Sequence, residues 1–181
     1  MCRKLINHLL FTALFFSCEQ KALNKYNEAS SSFEKFDQDF SIELNSRWVK
    51  DESFKINQYC KRHGLVTKIT NSGLRFLIIK PSNNNIFPKI GDDVILSYDV
   101  RLMDPLKTRC YHSDSNGLAK FKIEQAMVES GLHEVVTYLS KGDSALVILP
   151  HFLAHGVTGD SRKIPPLSSV LYYIKLIDVI N

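Results

Sequence analysis

The sequence predicts an α+β domain, a mostly antiparallel sheet around one short helix, preceded by a further helix and a polar tether. Three observations predict it. Beyond Pro88, several stretches alternate apolar and polar residues with the two-residue period of a strand. One stretch in the same region has apolar residues at helical spacing. A longer helical pattern stands well upstream, and strands gathered around a single short helix imply the α+β class.

At the start, Arg3 and Lys4 form a short basic segment, and Leu9 to Phe16 is an almost unbroken apolar run. A bilayer span needs roughly 20 apolar residues, so this run is too short to cross one and reads as a signal over 1–17. It ends at Ser17-Cys18, a small residue before a cysteine, as in a lipobox whose cysteine is acylated and becomes the new N-terminus. Phe15 and Phe16 are bulkier than usual there, and an uncleaved apolar anchor or an ordinary signal peptide is the alternative. The expectation is lipidation at Cys18.

Residues 18–40 are polar, with Ser30-Ser31-Ser32 and scattered charges, and read as a tether. Phe33, Phe36 and Phe40 leave a weak helical stripe open within it. Residues 41–85 form a helix and a lead-in strand. Val49, Ile56, Tyr59 and Cys60 share one helical face up to Gly64, Asn71-Ser72-Gly73 is a turn, and Leu74 to Lys80 is a strand closed by Pro81. Residues 86–181 form the main domain. Its first strand places Val94, Leu96, Tyr98, Val100 and Leu102 on one face. Leu132, Val135, Val136 and Leu139 form one helical stripe, with Ser130 as N-cap and Gly142 as the stop. Ala145 to Leu149 and Val170 to Val179 are the remaining strands, the last with Val170, Tyr172, Ile174 and Leu176 on one side.

At 181 residues the chain fits one domain with extras better than two full domains. The formal net charge is +4; without Arg3 and Lys4, 21 basic residues face 19 acidic ones, a net of +2. That is too weak to imply nucleic acid, and no Gly-rich phosphate loop is present. Cys60 and Cys110 are expected unpaired, although an oxidising envelope would permit a bond between them. His151 and His155 lie at helical spacing, and Cys60-Lys61-Arg62-His63 resembles half a metal site. Neither has further ligands, so no metal is expected.

Three stretches resemble the FKBP-type peptidyl-prolyl isomerases. Gly91-Asp92-Asp93-Val94-Ile95-Leu96-Ser97-Tyr98 is similar to the family's opening strand. Gly131-Leu132-His133-Glu134 through Leu139-Ser140-Lys141-Gly142-Asp143 resembles its helix and glycine turn. The third and most specific runs from Pro150-His151-Phe152-Leu153-Ala154-His155-Gly156 through Gly159 and Ile164-Pro165-Pro166 to Val170-Leu171-Tyr172. With the cysteine at 18 and Ser72-Gly73-Leu74 entering the domain, the chain looks most like the gliding-motility-associated FKBP lipoproteins of the Bacteroidetes.

The resemblance implies an FKBP-like sheet wrapped around its helix, and isomerisation of X–Pro bonds in exported or envelope proteins with no cofactor. Partners would be proline-containing polypeptides and, through the lipid, a membrane facing the periplasm. It carries pocket roles onto Tyr98, Val128, Leu132, His155, Ile164 and Tyr172, with Cys110 and Tyr111 in place of a Phe-Asp pair. Strand and helix periodicity alone also bury Tyr98, Leu132 and Tyr172, and Ile164 is open between pocket and core. Leu132 stands where tryptophan is common, His155 where a tyrosine hydroxyl is common, and Tyr111 implies a missing acidic wall. These departures leave a non-catalytic binding module or chaperone as the alternative function.

Overall fold

The computed structural model describes Lys35 and residues 40–180. The signal expected over 1–17, Cys18 and nearly all of the tether lie outside the described residues; Lys35 and Phe40 are helical. The chain divides between Lys50 and Asp51 into two units. In the first, residues 40–50 are helical, and Arg47 donates to Glu43 at 2.6 Å across one exposed turn. Such a pair adds only tenths of a kcal/mol, roughly 0.3–0.5.

The second unit holds helix α1 (51–62) and the sheet. The strands are β1 (Lys68–Ile69), β2 (Arg75–Lys80), β3 (Asp93–Leu102), β4 (Arg109–His112), β5 (Ala119–Lys122), β6 (Ser144–Leu149) and β7 (Val170–Ile180). They run in the order β1-β2-β6-β7-β3-β4, and β5 shares the outer edge of β3 with β4. Every pairing is antiparallel. The lead-in strand β2 thus belongs to this sheet, paired along β6 from Arg75↔Ile148 to Lys80↔Ser144.

One face carries the main core. Val94, Leu96 and Val100 of β3, Ala145, Val147 and Leu149 of β6, and Val170, Tyr172, Ile174 and Leu176 of β7 meet the buried face of α3 (Ser130–Val136). The alternation expected of β3 and β7 is observed. On the other face, Leu146, Ile148 and Leu171 pack with Ile56, Tyr59 and Cys60 of α1. Buried on both sides, β6 shows no polar alternation and reads as a continuous apolar run. Burying each of Ile56, Leu146, Ile148 and Leu171 is worth roughly 1.5–3 kcal/mol.

Polar ties fasten α1 to this unit. Buried Glu52 accepts the His151 backbone N–H at 2.7 Å and the Ser169 hydroxyl at 2.5 Å, and its second oxygen lies 2.5 Å from His151 Nδ1. Arg75 donates to Asn57 at 2.5 Å and Ser53 at 3.3 Å.

Three local expectations are corrected. The N-cap of α3 is Glu129, not Ser130, and its side chain makes no capping bond because it is engaged elsewhere. The helix ends at Val136 with Thr137 as its cap, so Leu139 reaches the core from the following turn rather than from the helix. Gly142, at φ +97°, instead sends its N–H to Leu176 O at 2.7 Å. Ser113–Asn116 forms the short helix α2, whose N-terminus is capped by His112 Nδ1 accepting the Asp114 N–H. Gly131 lets α3 lie close on β6: an added Cβ would stand 2.5 Å from Leu149 Cδ2 and 2.9 Å from Leu153 O.

Candidate active site

Between the core face of β3 and β7, the start of α3 and the chain after β6 lies an open cavity of about 550 Å³. Its lining includes four rings, Tyr98, Tyr111, Phe121 and Tyr172, with Leu96, Val100, Val128, Leu132 and Ile174. Strand alternation aims Tyr98 and Tyr172 inward, and the face of α3 that packs on the sheet brings Leu132. Val128 is delivered by the segment before α3. That segment is pinned by His133, whose Nδ1 accepts the Glu124 N–H at 3.0 Å and whose Nε2 faces Ala126 O at 3.0 Å.

The loop after β6 supplies the polar rim. Its turn begins with the 3-10 helix His151–Leu153 and closes with the Gly156 N–H on His151 O at 2.7 Å, which sets His155 beside the cavity. Farther on, Asp160 Oδ1 accepts the backbone N–H groups of Arg162, Lys163 and Ile164 at 2.9, 2.9 and 2.8 Å. Its other oxygen accepts the Tyr111 hydroxyl. Gly159 is required just before it: at φ +67°, an added Cβ would stand 2.2 Å from Ile164 O.

Six of the eight residues assigned by sequence to the pocket line it together: Tyr98, Tyr111, Val128, Leu132, His155 and Tyr172. Ile164 and Cys110 do not. Ile164 is 2% exposed within the core. The Cys110 thiol is also in the core, facing the carbonyls of Thr108 and Lys163. Both pack behind the loop rather than at the cavity surface. Cys110 and Cys60 are buried and unpaired. His151 is spent on Glu52, away from His155, and among the described residues no group of three His, Cys, Asp or Glu side chains is placed to hold a metal.

The acidic wall expected to be missing at Tyr111 is present from another position. Asp160 lines the cavity, and Tyr111 binds it rather than replacing it. Burial opposes ionisation of Asp160, but the bonds from Tyr111, Ile164, Arg162 and Lys163 outweigh it and hold the carboxyl far below its usual range. The same bond, with burial, pushes the Tyr111 hydroxyl up to about 12.

A second carboxylate, Glu129, lies deeper. The Tyr172 hydroxyl donates to its Oε1 at 2.7 Å, and His155 Nε2 lies 3.1 Å from the same atom. The imidazole N–H does not point along that line, so this contact is an ion pair rather than an aligned hydrogen bond. Burial works against the Glu129 charge, yet His155, its own N–H and Tyr172 together lower its pKa. Beside that carboxylate the His155 pKa rises against a cost of burial, with Asp160 adding to the rise. Tyr172 is pushed well above the ordinary phenol range, first by burial and then by Glu129. The sequence offered one usable signal for the missed Phe121, its alternation with Ala119 and Ile123. For Glu129 and Asp160 there was only adjacency to Val128 and Gly159.

The open cavity is thus lined by rings and walled by the sheet, one helix and a glycine-shaped loop. Residues 84–177 match the family model of FKBP-type peptidyl-prolyl cis-trans isomerases. The chain is 32% identical over 107 residues to peptidyl-prolyl cis-trans isomerase Fkbp12 of Drosophila melanogaster, covering 59% of this chain and 98% of that protein. It is 30% identical, with the same coverage, to FK506-binding protein 1A of Emericella nidulans. The crystal structure of FkpA from Escherichia coli shares the fold, with a TM-score of 0.60 at 22% identity over 85% of this chain and 72% of that one. The chain belongs to the FKBP-type peptidyl-prolyl cis-trans isomerase family.

Proposed function

We propose that this chain accelerates cis–trans exchange at X–Pro bonds of proteins exported to the cell envelope, held at a membrane by lipid on Cys18. The observation that carries the catalytic part is the cavity itself. Rotation about a peptide bond meets a barrier of roughly 18–20 kcal/mol set by amide resonance, and breaks no covalent bond. A dry pocket that seats the proline ring and strips water from its carbonyl favours the twisted state over the planar one. Tyr98, Phe121, Leu132 and Tyr172 supply that apolar seat. His155 lines the same cavity and is the residue we assign as donor to a backbone carbonyl of the peptide.

The test is magnetisation exchange on an unlabelled proline peptide with the soluble domain. Exchange between the two isomers should accelerate in proportion to protein added. A folded domain that binds the peptide without accelerating exchange would leave a binding or chaperone module in its place.

The envelope part rests on the sequence, in the basic start, the apolar run into Ser17-Cys18 and the polar stretch behind it. Its clients are then exported chains, and the motif likeness to gliding-motility lipoproteins points to secretion or gliding machinery among them. Among the described residues no helix is long and apolar enough to cross a membrane. Cys18→Ala should release the protein from the membrane fraction or leave an unprocessed precursor. Unchanged fractionation and mass would defeat the lipid anchor.

A further inference from the structure

Glu129 is out of place in a pocket built for an apolar ring. Phe121, Val128, Leu132 and Ile174 line the same cavity, and an ionised carboxylate in such surroundings is costly unless it is paired. Its partners come from two other elements, Tyr172 from β7 and His155 from the loop after β6, and both converge on Oε1. We infer that Glu129 is a positioning residue for the isomerase pocket: its carboxylate holds His155 as a cation whose second ring nitrogen donates to a backbone carbonyl of the bound peptide. This rests on the proposed reading of the cavity as the seat of a proline peptide.

A neutral imidazole has a single N–H, whereas the imidazolium has two. Nε2 is sealed from solvent 3.1 Å from the Glu129 oxygen, where a bare lone pair would face the carboxylate's own, so the neutral ring also keeps its proton on that nitrogen. In neutral His155 the other nitrogen would therefore be an acceptor and would repel a carbonyl oxygen. Only the cation leaves it a donor. Tyr172 cannot share the role of cation; it is a buried phenol that donates to the same carboxylate.

The remaining polar and titratable groups around the site do not alter this assignment. Asp160 is held by three backbone N–H groups and Tyr111, and its charge also favours the His155 cation. Arg162 and Tyr98 line the same cavity, and Cys110 lies behind it as a thiol that burial keeps protonated. The folded-state pKa of His155 is raised, so the second donor is present below it and is lost as pH rises through it.

The test measures affinity for a fluorescent proline peptide, and kcat/KM on the same peptide, across pH in wild type, Glu129→Gln and His155→Gln. Wild type should bind steadily through neutral pH and weaken by about tenfold on the alkaline side, the loss of one hydrogen bond to a charged group. In Glu129→Gln the same fall should move down toward the ordinary histidine value of about 6.5. At about pH 5.5, where an ordinary histidine is already protonated, the Gln variant should regain most of its affinity. His155→Gln, with an amide donor at every pH, should lose the limb. A deficit in Glu129→Gln that is equal at all pH values, or a limb with an unmoved midpoint, would overturn the assignment. Isomerisation absent at every pH defeats the proposed function alone, because the affinity profile still decides on Glu129; absent peptide binding defeats both.

Discussion

Glu52→Ala should destabilise the folded domain by about 3–5 kcal/mol, the usual cost of removing one partner from a buried hydrogen-bonded pair. Glu52 is 7% exposed on α1, and its carboxylate holds the two ends of the loop that carries His155 and Asp160. At the near end it accepts the His151 N–H and faces the imidazole; at the far end it accepts the Ser169 hydroxyl. Alanine leaves the His151 N–H and imidazole buried without that acceptor and takes it from the half-buried Ser169 hydroxyl, and each buried orphan carries a desolvation cost of about 1–3 kcal/mol. For a domain of this size the melting temperature should fall by roughly 10 °C or more. Denaturant unfolding measures the loss, and a change below about 1 kcal/mol would show that the staple contributes little. Glu52→Gln, which keeps one acceptor oxygen, should lose less than alanine.

That staple also marks the limit of what could be read along the chain. Alternation was enough for β3 and β7, whose outward positions apart from the α1-covered Leu171 are polar or only partly buried, and for the face of α3 that meets them. It fails for β6, which is apolar on both sides because α1 covers the face that α3 does not. β4 and β5 have four residues each and carry Arg109, Lys120 and Lys122, so their apolar signal is too brief to separate from loop. β1 has two residues and owes its existence to pairing with β2. The four-residue α2 is capped by one histidine, which no periodicity records.

The site divides along the same line. Residues on regular elements, Tyr98, Leu132 and Tyr172, are placed by strand and helix phase. Tyr111, Val128 and His155 come from the family likeness, and all six line the cavity. Ile164 and Cys110 carried the same likeness but lie behind the loop, because the turn bound by Asp160 draws Ile164 N–H inward and its side chain into the core. The two carboxylates went unread because their partners are remote in sequence. Glu129 meets Tyr172 across 43 positions and Tyr111 meets Asp160 across 49. Charged residues in loops are usually solvated, and only the folded chain shows that these two are enclosed by phenols and an imidazole.

Tyr172→Ala should reduce kcat/KM by about 100-fold, equivalent to roughly 2.7 kcal/mol of transition-state stabilisation. Tyr172 is 4% exposed on the central strand β7, and its ring lines the cavity beside Leu132. Leu132 gives no aromatic face of its own, so loss of the Tyr172 ring removes packing that the twisted proline needs more than the planar one does. The same truncation opens a void in the core and should cost about 3–5 kcal/mol of stability. Two further variants separate these effects. Tyr172→Leu retains apolar volume and tests whether the ring itself matters if the alanine variant is too unstable to assay. Tyr172→Phe retains the ring and gives up only the hydroxyl bond to Glu129, which His155 still partners, so its turnover should stay within about tenfold of wild type. Exchange rates at fixed pH, normalised to the folded fraction, give the comparison. A folded Tyr172→Leu protein with wild-type turnover would show that this ring is core alone, and that the proline seat lies with Tyr98 and Phe121.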